Sequence, residues 1–341
     1  MTINKNMLRE VADKLPDITD AMWSEVLEEN RQMFKEYFDS NSQLSKKTRG
    51  TYTSNLKQYF YWVCKNLNNK PYYKITKRDF LKYMSMLEER GMSSNAKGLR
   101  KSSVSSFNNY IENVVADDEE MTQCKGFRNY TRGLPSISKT QTYNKIAITK
   151  EEYEKMVEYL LEKKEYLYLA WVAVAFNVGS RRAEIIQFKT EIINYPIPDG
   201  QNYVLSNLVR GKGKSADGKP LKYMVNLEAL KYIRLWIENR PFENEYIFAV
   251  KYGGEIHHIS ETWANALCQN LLSEICQRRI NPHLFKSSCI TYLLETGVEL
   301  SLVSEFVAQH EDTSTTSKFY DLRSHEEEKN KIFGNINASK S

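Results

Sequence analysis

The stretch Tyr166 to Phe176 reads YLYLAWVAVAF, eleven residues without a charge. A membrane span needs about 20 apolar residues, so this run is too short to cross a bilayer and reads as a buried helix. The rest of the chain must wrap it. At 341 residues and 41% hydrophobic content the chain has the material to do so, with length for about two domains. Five cysteines (Cys64, Cys124, Cys268, Cys276, Cys289) are odd in number and widely spaced. They form no disulfide framework and no CxxC metal pair, so a reducing cytoplasm is the expected compartment. The opening MTINKNMLRE lacks an apolar stretch, so no signal peptide is expected. Membrane, secreted and fibrous classes drop out.

Upstream of the run the pattern is helical throughout. Residues 1–24 read as a short helical extension and 25–39 as a helix. In 42–67 the positions Tyr52, Leu56, Tyr59, Phe60, Val63 and Leu67 recur at helical spacing. Thr76 is placed to cap a helix that stops at Gly91, and 100–115 make a fourth. With no strand pattern, residues 25–116 predict an all-α bundle. Residues 117–145 hold Gly, Pro, Ser and Thr without a period and read as a linker. A capping box, Thr149 with Glu152, then opens a second region at 146–325. There NYVLSNLVR (202–210) and LKYMVN (221–226) alternate like strands, joined by GKGKSADGKP into a hairpin with a long tip. Helices return from about 227, with one short strand near 246–250, and 326–341 form a tail. The expected fold is mainly α with a small β-sheet: a helical N-terminal domain and an α+β second domain.

Charge is unevenly spread. Residues 41–110 hold 14 Lys and Arg against 3 acids, a net of +11 in a chain whose total is +5. That asymmetry, interleaved with Tyr and Ser on helices, is the electrostatic footprint of a nucleic-acid module, though a solvated basic face has the same composition. Lys46, Lys47, Arg49, Lys97, Arg100 and Lys101 are the candidate phosphate or groove contacts, joined by Arg128 and Arg132 in the linker.

In the second region Gly179-Ser180-Arg181-Arg182-Ala183-Glu184 ends the apolar helix and starts another, AEIIQF. Free N–H groups and the forked Arg181 cation suit a phosphate oxygen, with Glu184 as orienter. A capped helix with surface arginines fits the same residues. The hairpin tip carries Lys212, able to reach a leaving oxygen as general acid, or simply a solvated basic turn. His283 and Lys286, three apart, share a helix face. His310 lies ten residues before Tyr320, with Thr315 and Thr316 between. His257 and His258 are adjacent and point apart on a strand, and no HExxH or His/Cys spacing supports a metal, so no metal site and no cofactor are expected.

In this order the residues resemble the tyrosine recombinases, the phage integrase and Xer-like family. Gly179 to Glu184 fits that family's G-x-R-x-x-E turn, Lys212 its hairpin lysine, His283-Leu284-Phe285-Lys286 the place of His-x-x-Arg, and His310 and Tyr320 its terminal histidine and nucleophile. SKKTRGTYTSNLKQYFYW lies in what looks like the core-binding (SAM-like) domain. The sequence departs from the pattern at three places: Lys286 stands for an arginine, Gln309 for the glycine before the histidine, and Phe319 holds the nine-residue spacing, so Tyr320 is the nucleophile only under the ten-residue variant.

The resemblance implies attack by Tyr320 on a DNA phosphate, giving a covalent 3′-phosphotyrosyl enzyme and a free 5′-hydroxyl without metal or ATP. Arg181 and Lys286 would offset charge on the non-bridging oxygens and His310 would donate to them. His283 would take the tyrosine proton or position the phosphate. It also implies double-stranded DNA held in a two-domain clamp, four protomers joining two duplexes as a tetramer, accessory DNA-bending proteins, and no membrane partner. A catalytically impaired recombinase-fold DNA binder and a type IB topoisomerase-like relaxing enzyme are the alternatives, the first motivated by Lys286 and Gln309.

Overall fold

The structure, a computed structural model, describes residues 13–135, 137, 145–211, 213, 218–310 and 312–323. These fall into two compact units, one ending before residue 144 and the other running from there onward. No helix among the described residues is long and apolar enough to cross a membrane.

The first unit is built from α1 (Asp20–Ser24), α2 (Glu28–Ser40), α3 (Lys46–Asn66), α4 (Lys77–Glu89) and α5 (Ser94–Asn113). Side-chain caps set the starts. The Ser45 hydroxyl accepts from Thr48 N, Thr76 and Asp79 close a capping box, and Ser93 accepts from Ala96 N. The Ser93 cap is why α5 begins at Ser94 and not at 100 as the apolar period suggests. Asn55 Nδ2 donates to Ser103 Oγ at 2.9 Å and Arg100 Nη2 to Gln58 Oε1 at 3.0 Å, so α3 and α5 run antiparallel. Between the helices Tyr59, Phe60, Phe80, Tyr83 and Phe107 form an aromatic core, each fully buried and meeting edge-on or tilted.

The segment after α5, expected as linker, completes this core. Cys124, Phe127 and Tyr130 are buried in it, Tyr130 hydrogen-bonds Tyr59 at 3.0 Å, and Cys124 meets the Tyr72 hydroxyl at 3.2 Å. It is held by single anchors, not by a repeat, which is why no period betrays it. The chief anchor is Asn129, 4% exposed. Its amide donates to Ser105 O, Ser105 Oγ and Asn109 Oδ1, and its oxygen accepts from Thr131 N and Oγ1.

The second unit surrounds the apolar run, which is α7 (Tyr166–Val178). Leu169 to Phe176 are all buried. Helices α6 (Lys150–Glu162) and α9 (Leu227–Asn239) pack on it, as does α12 (Pro282–Glu295), whose Phe285 meets Trp171 edge-on at 5.3 Å. A one-turn helix, α8 (Arg182–Ile185), follows α7.

The expected strand 202–210 is two strands: β1 (Tyr203–Leu205) pairs antiparallel with β4 (Met224–Asn226), and β2 (Val209–Gly211) with β3 (Lys219–Leu221). Asn207 causes the break, its side chain accepting from Lys189 N and donating to Gln187 O. The strand expected near 246–250 lies at β5 (Ala249–Tyr252), in a hairpin with β6 (Glu255–His258). All four β6 residues are exposed, so no apolar alternation marked it. Residues 263–275 form α10 (Trp263–Leu267), a π-turn (Cys268–Leu272) and α11 (Ser273–Ile275). After α12 come α13 (Leu300–Leu302), a second π-turn (Val303–Ala308) and α14 (Thr313–Phe319).

Asn129→Ala leaves the donors of Thr131 and the Asn108 amide buried without this acceptor, at a cost of about 2–3 kcal/mol. Urea unfolding of the full chain measures this; an unchanged midpoint would show that the segment is not held by Asn129.

Candidate active site

Three segments of the second unit converge on one tyrosine. The first is the turn after α7. Gly179 adopts φ +67°, and a methyl group there would lie 2.6 Å from Val307 Cγ1 and 3.3 Å from Cys289 Sγ, so only glycine fits. The chain then turns through Arg181, the N-cap of α8. Because α8 is a single turn, the positive character here belongs to the guanidinium and not to a helix end. Glu184 is 1% exposed and accepts from Arg181 N (2.6 Å), Arg181 Nη1 (2.9 Å) and the Tyr223 hydroxyl (2.6 Å). Burial opposes the Arg181 charge, but the Glu184 carboxylate outweighs it and holds the guanidinium above its ordinary value. Burial and the same carboxylate push the Tyr223 phenol up.

The second segment is α12. Asn281 caps it through Leu284 N, and Pro282 follows at the first helical position. Lys286 is completely buried, its Nζ donating to Ala308 O at 2.8 Å and lying 5.7 Å from the centre of the Tyr320 ring. Burial, then the adjacent Arg181 charge, lower its ammonium to about 7. One turn earlier, His283 meets the Tyr320 ring at 5.4 Å. Packing around it, then the Lys145 and Lys286 charges, hold His283 below its ordinary value.

The third segment runs from the 303–308 π-turn to Tyr320. Gln309 ends the turn in the left-handed region, φ +57° and ψ 39°. His310 then lies 4.8 Å from the Tyr320 ring. Its Nδ1 contacts Thr316 Oγ1 at 2.8 Å, and that hydroxyl donates to Ser304 Oγ at 2.9 Å. The Thr316 oxygen therefore accepts from Nδ1–H, which leaves Nε2 as the bare nitrogen of the neutral ring. That Nε2 is buried without a partner. Burial, then Lys286 and Arg181, lower His310 to about 4. Tyr320 caps α14, 8% exposed, packed with Ile290, Leu294, Val303 and Ala308.

Of the predicted site residues, Arg181, Glu184, His283, Lys286, His310 and Tyr320 thus gather in one place, and Lys212 lies outside the described residues. Tyr223 and the Ala308 carbonyl are partners the sequence does not show, since nothing in one sequence marks a core tyrosine or a backbone oxygen; of the two threonines noted between His310 and Tyr320, Thr316 is the partner of His310. Among the described residues no group of His, Cys, Asp and Glu is arranged to hold a metal.

The candidate DNA contacts belong to the first unit. Lys46 and Lys47 are exposed at the start of α3. Arg49 donates to Phe38 O and lies over the Phe38 ring. Lys97 departs from expectation: it is 6% exposed and ion-paired with Glu88, so it faces inward and not toward a phosphate. Arg100 is tied to Gln58, with Lys101 half-buried beside it. Arg128 and Arg132 extend outward, 82% and 59% exposed, from the sunken carboxylate of Glu112.

A sequence model of the phage integrase family matches residues 147–326, over half of the chain. The chain belongs to the phage integrase family of tyrosine recombinases. The SPbeta prophage-derived recombinase-like protein YomM of Bacillus subtilis is 56% identical to this integrase-family chain over 332 residues, covering 97% of this chain and 98% of YomM. A tyrosine recombinase of Thermosipho africanus is 25% identical over 292 residues, 84% of this chain and 92% of the relative. Among solved structures, a lambda integrase dimer bound to a COC′ core site aligns with TM-score 0.62 at 14% identity, covering 92% of this chain and 83% of that one. The Tn1549 transposon integrase in complex with circular intermediate DNA aligns with TM-score 0.61 at 13% identity, covering 89% and 98%. These two likenesses are of fold, shared across the phage integrase family.

Lys286 has a measurable signature in this integrase. Its proton affinity drops from the usual 10.5 to about 7 on folding. Between those values the unfolded chain binds more protons, so the Lys286 contribution to stability improves as pH rises; below about 7 both states are charged and the full penalty stands. Wild type should therefore gain melting temperature relative to Lys286→Met as pH rises from about 7 to 10. Parallel melting curves would show that Lys286 folds with its ordinary affinity.

Proposed function

We propose that the protein is a site-specific DNA recombinase that cuts and rejoins strands through a covalent 3′-phosphotyrosyl link at Tyr320, with neither metal nor ATP. One observation carries the reading: the Tyr320 ring is enclosed by His310, His283 and Lys286, with Arg181 beside the lysine. The Tyr320 oxygen attacks phosphorus as the bond to the 5′ oxygen breaks. The phenolic proton passes to bare Nε2 of His310, where the sequence reading expected a donor. Once protonated, that nitrogen donates to a non-bridging oxygen. His283 positions the phosphate, and Arg181 and Lys286 offset its developing charge. Glu184 holds Arg181 in place. Lys212 protonates the leaving 5′ oxygen, and attack by a 5′-hydroxyl on the phosphotyrosine reverses the sequence.

The solved neighbours quoted above were seen with DNA. By the same reading this protein acts on duplex DNA in the cytoplasm, with four protomers assembling on two duplexes and accessory DNA-bending proteins assisting. Lys46, Lys47, Arg49, Arg100, Lys101, Arg128 and Arg132 supply phosphate contacts from the first unit, and affinity falls steeply with salt. A second reading, a DNA binder with impaired chemistry, is favoured by Lys286 alone, which offers an ammonium where a guanidinium would hold two oxygens.

A nicked duplex selected from a random pool by the Tyr320→Phe protein separates the readings. Wild type should form an SDS-resistant adduct that Tyr320→Phe loses, and Lys286→Arg should form more of it. Tight binding without any wild-type adduct would move the assignment to the second reading.

A further inference from the structure

We propose that Gln309 is a positioning residue, a clasp that ties the arginine turn and the lysine hairpin to the segment carrying His310 and Tyr320. The inference rests on the reading of Tyr320 as nucleophile. It starts from a backbone anomaly. At φ +57° a side chain crowds its own backbone, and glycine would occupy the position without that cost. The chain keeps a glutamine there, and its amide is used. Nε2 donates to Phe306 O at 3.1 Å, within its own turn, and to Lys222 O at 3.2 Å, across the site.

What lies on each side of that second bond gives it meaning. Lys222 follows directly from β3, one strand of the hairpin that carries Lys212, and precedes Tyr223, whose hydroxyl donates to Glu184. Glu184 in turn holds Arg181. On the near side, Ala308 O accepts from Lys286 Nζ, and His310 N donates to Ser304 O at 3.0 Å. Three consecutive residues, 308 to 310, therefore meet the lysine of α12, the hairpin and the tyrosine ring in turn. The Gln309 amide is thus a hydrogen bond between the Arg181 half of the site and the His310 half. Apolar contact between the Gly179 turn and Val307 joins the same halves without fixing their register.

A residue that only capped its helix would be improved by glycine in every respect. A clasp separates rate from stability. In single-turnover cleavage of the selected nicked duplex with enzyme in excess, Gln309→Gly should form adduct at least tenfold more slowly, with DNA affinity within twofold of wild type. Its melting temperature should stay level or rise by roughly 2–4 °C as the backbone relaxes. Gln309→Met keeps the side-chain length and the strained backbone but has no donor, so it should be equally slow without the thermal gain. Wild-type rates in either variant overturn the clasp while leaving the phosphotyrosyl reading intact. Absence of a Tyr320-dependent adduct from wild type overturns that reading and the clasp with it.

Discussion

Glu184 is a carboxylate sealed from water, and two side chains and one backbone amide converge on it. An ionised carboxylate in such a place is stable only when donors surround it, and here the donors are Arg181, twice, and Tyr223. Satisfying the acid therefore fixes the arginine. The hairpin is built to the same point: a methyl group on Gly211 would lie 3.1 Å from Glu184 Oε1. Removing the carboxylate would leave Arg181 beside Lys286 with no counter-charge, two cations in a space that already lowers the lysine from its usual 10.5 to about 7.

With Glu184 in place, Arg181 and Lys286 still face a single carboxylate, and under the proposed function a phosphodiester supplies the second anion. Desolvation and then the neighbouring cations hold both histidines below their ordinary values. Thr316 decides which nitrogen of His310 is available, a choice made by a hydroxyl three residues before α14 ends.

The parts of this arrangement visible in the sequence are those with local rules. The Thr149 and Glu152 capping box, the Thr76 cap, the left-handed Gly91 after α4 and the uncharged α7 run all follow from short-range chemistry, and each is found where it was read. The order Arg181, His283, Lys286, His310, Tyr320 was legible as a resemblance. What could not be read depends on partners distant in sequence. Lys97 looks like its basic neighbours until Glu88 captures it. Strand β6 has no buried face to announce it. Tyr223 is one of twenty-two tyrosines until Glu184 is placed beneath its hydroxyl. Gln309 looked like a lost glycine, and only its backbone angle and its bond to Lys222 show what the side chain gained.

Tyr320 is seated among Ile290, Leu294, Val303 and Ala308, like any core aromatic. A side chain held in that way surrenders its rotamer freedom when the chain folds and not when a substrate arrives. In the proposed reaction its oxygen consequently starts from a narrow range of directions, and little orientational entropy separates the bound state from the transition state. Under the proposed reaction the apolar pocket beneath the ring raises the effective concentration of the tyrosine oxygen, so that hydrophobic packing, usually counted only toward stability, contributes to rate.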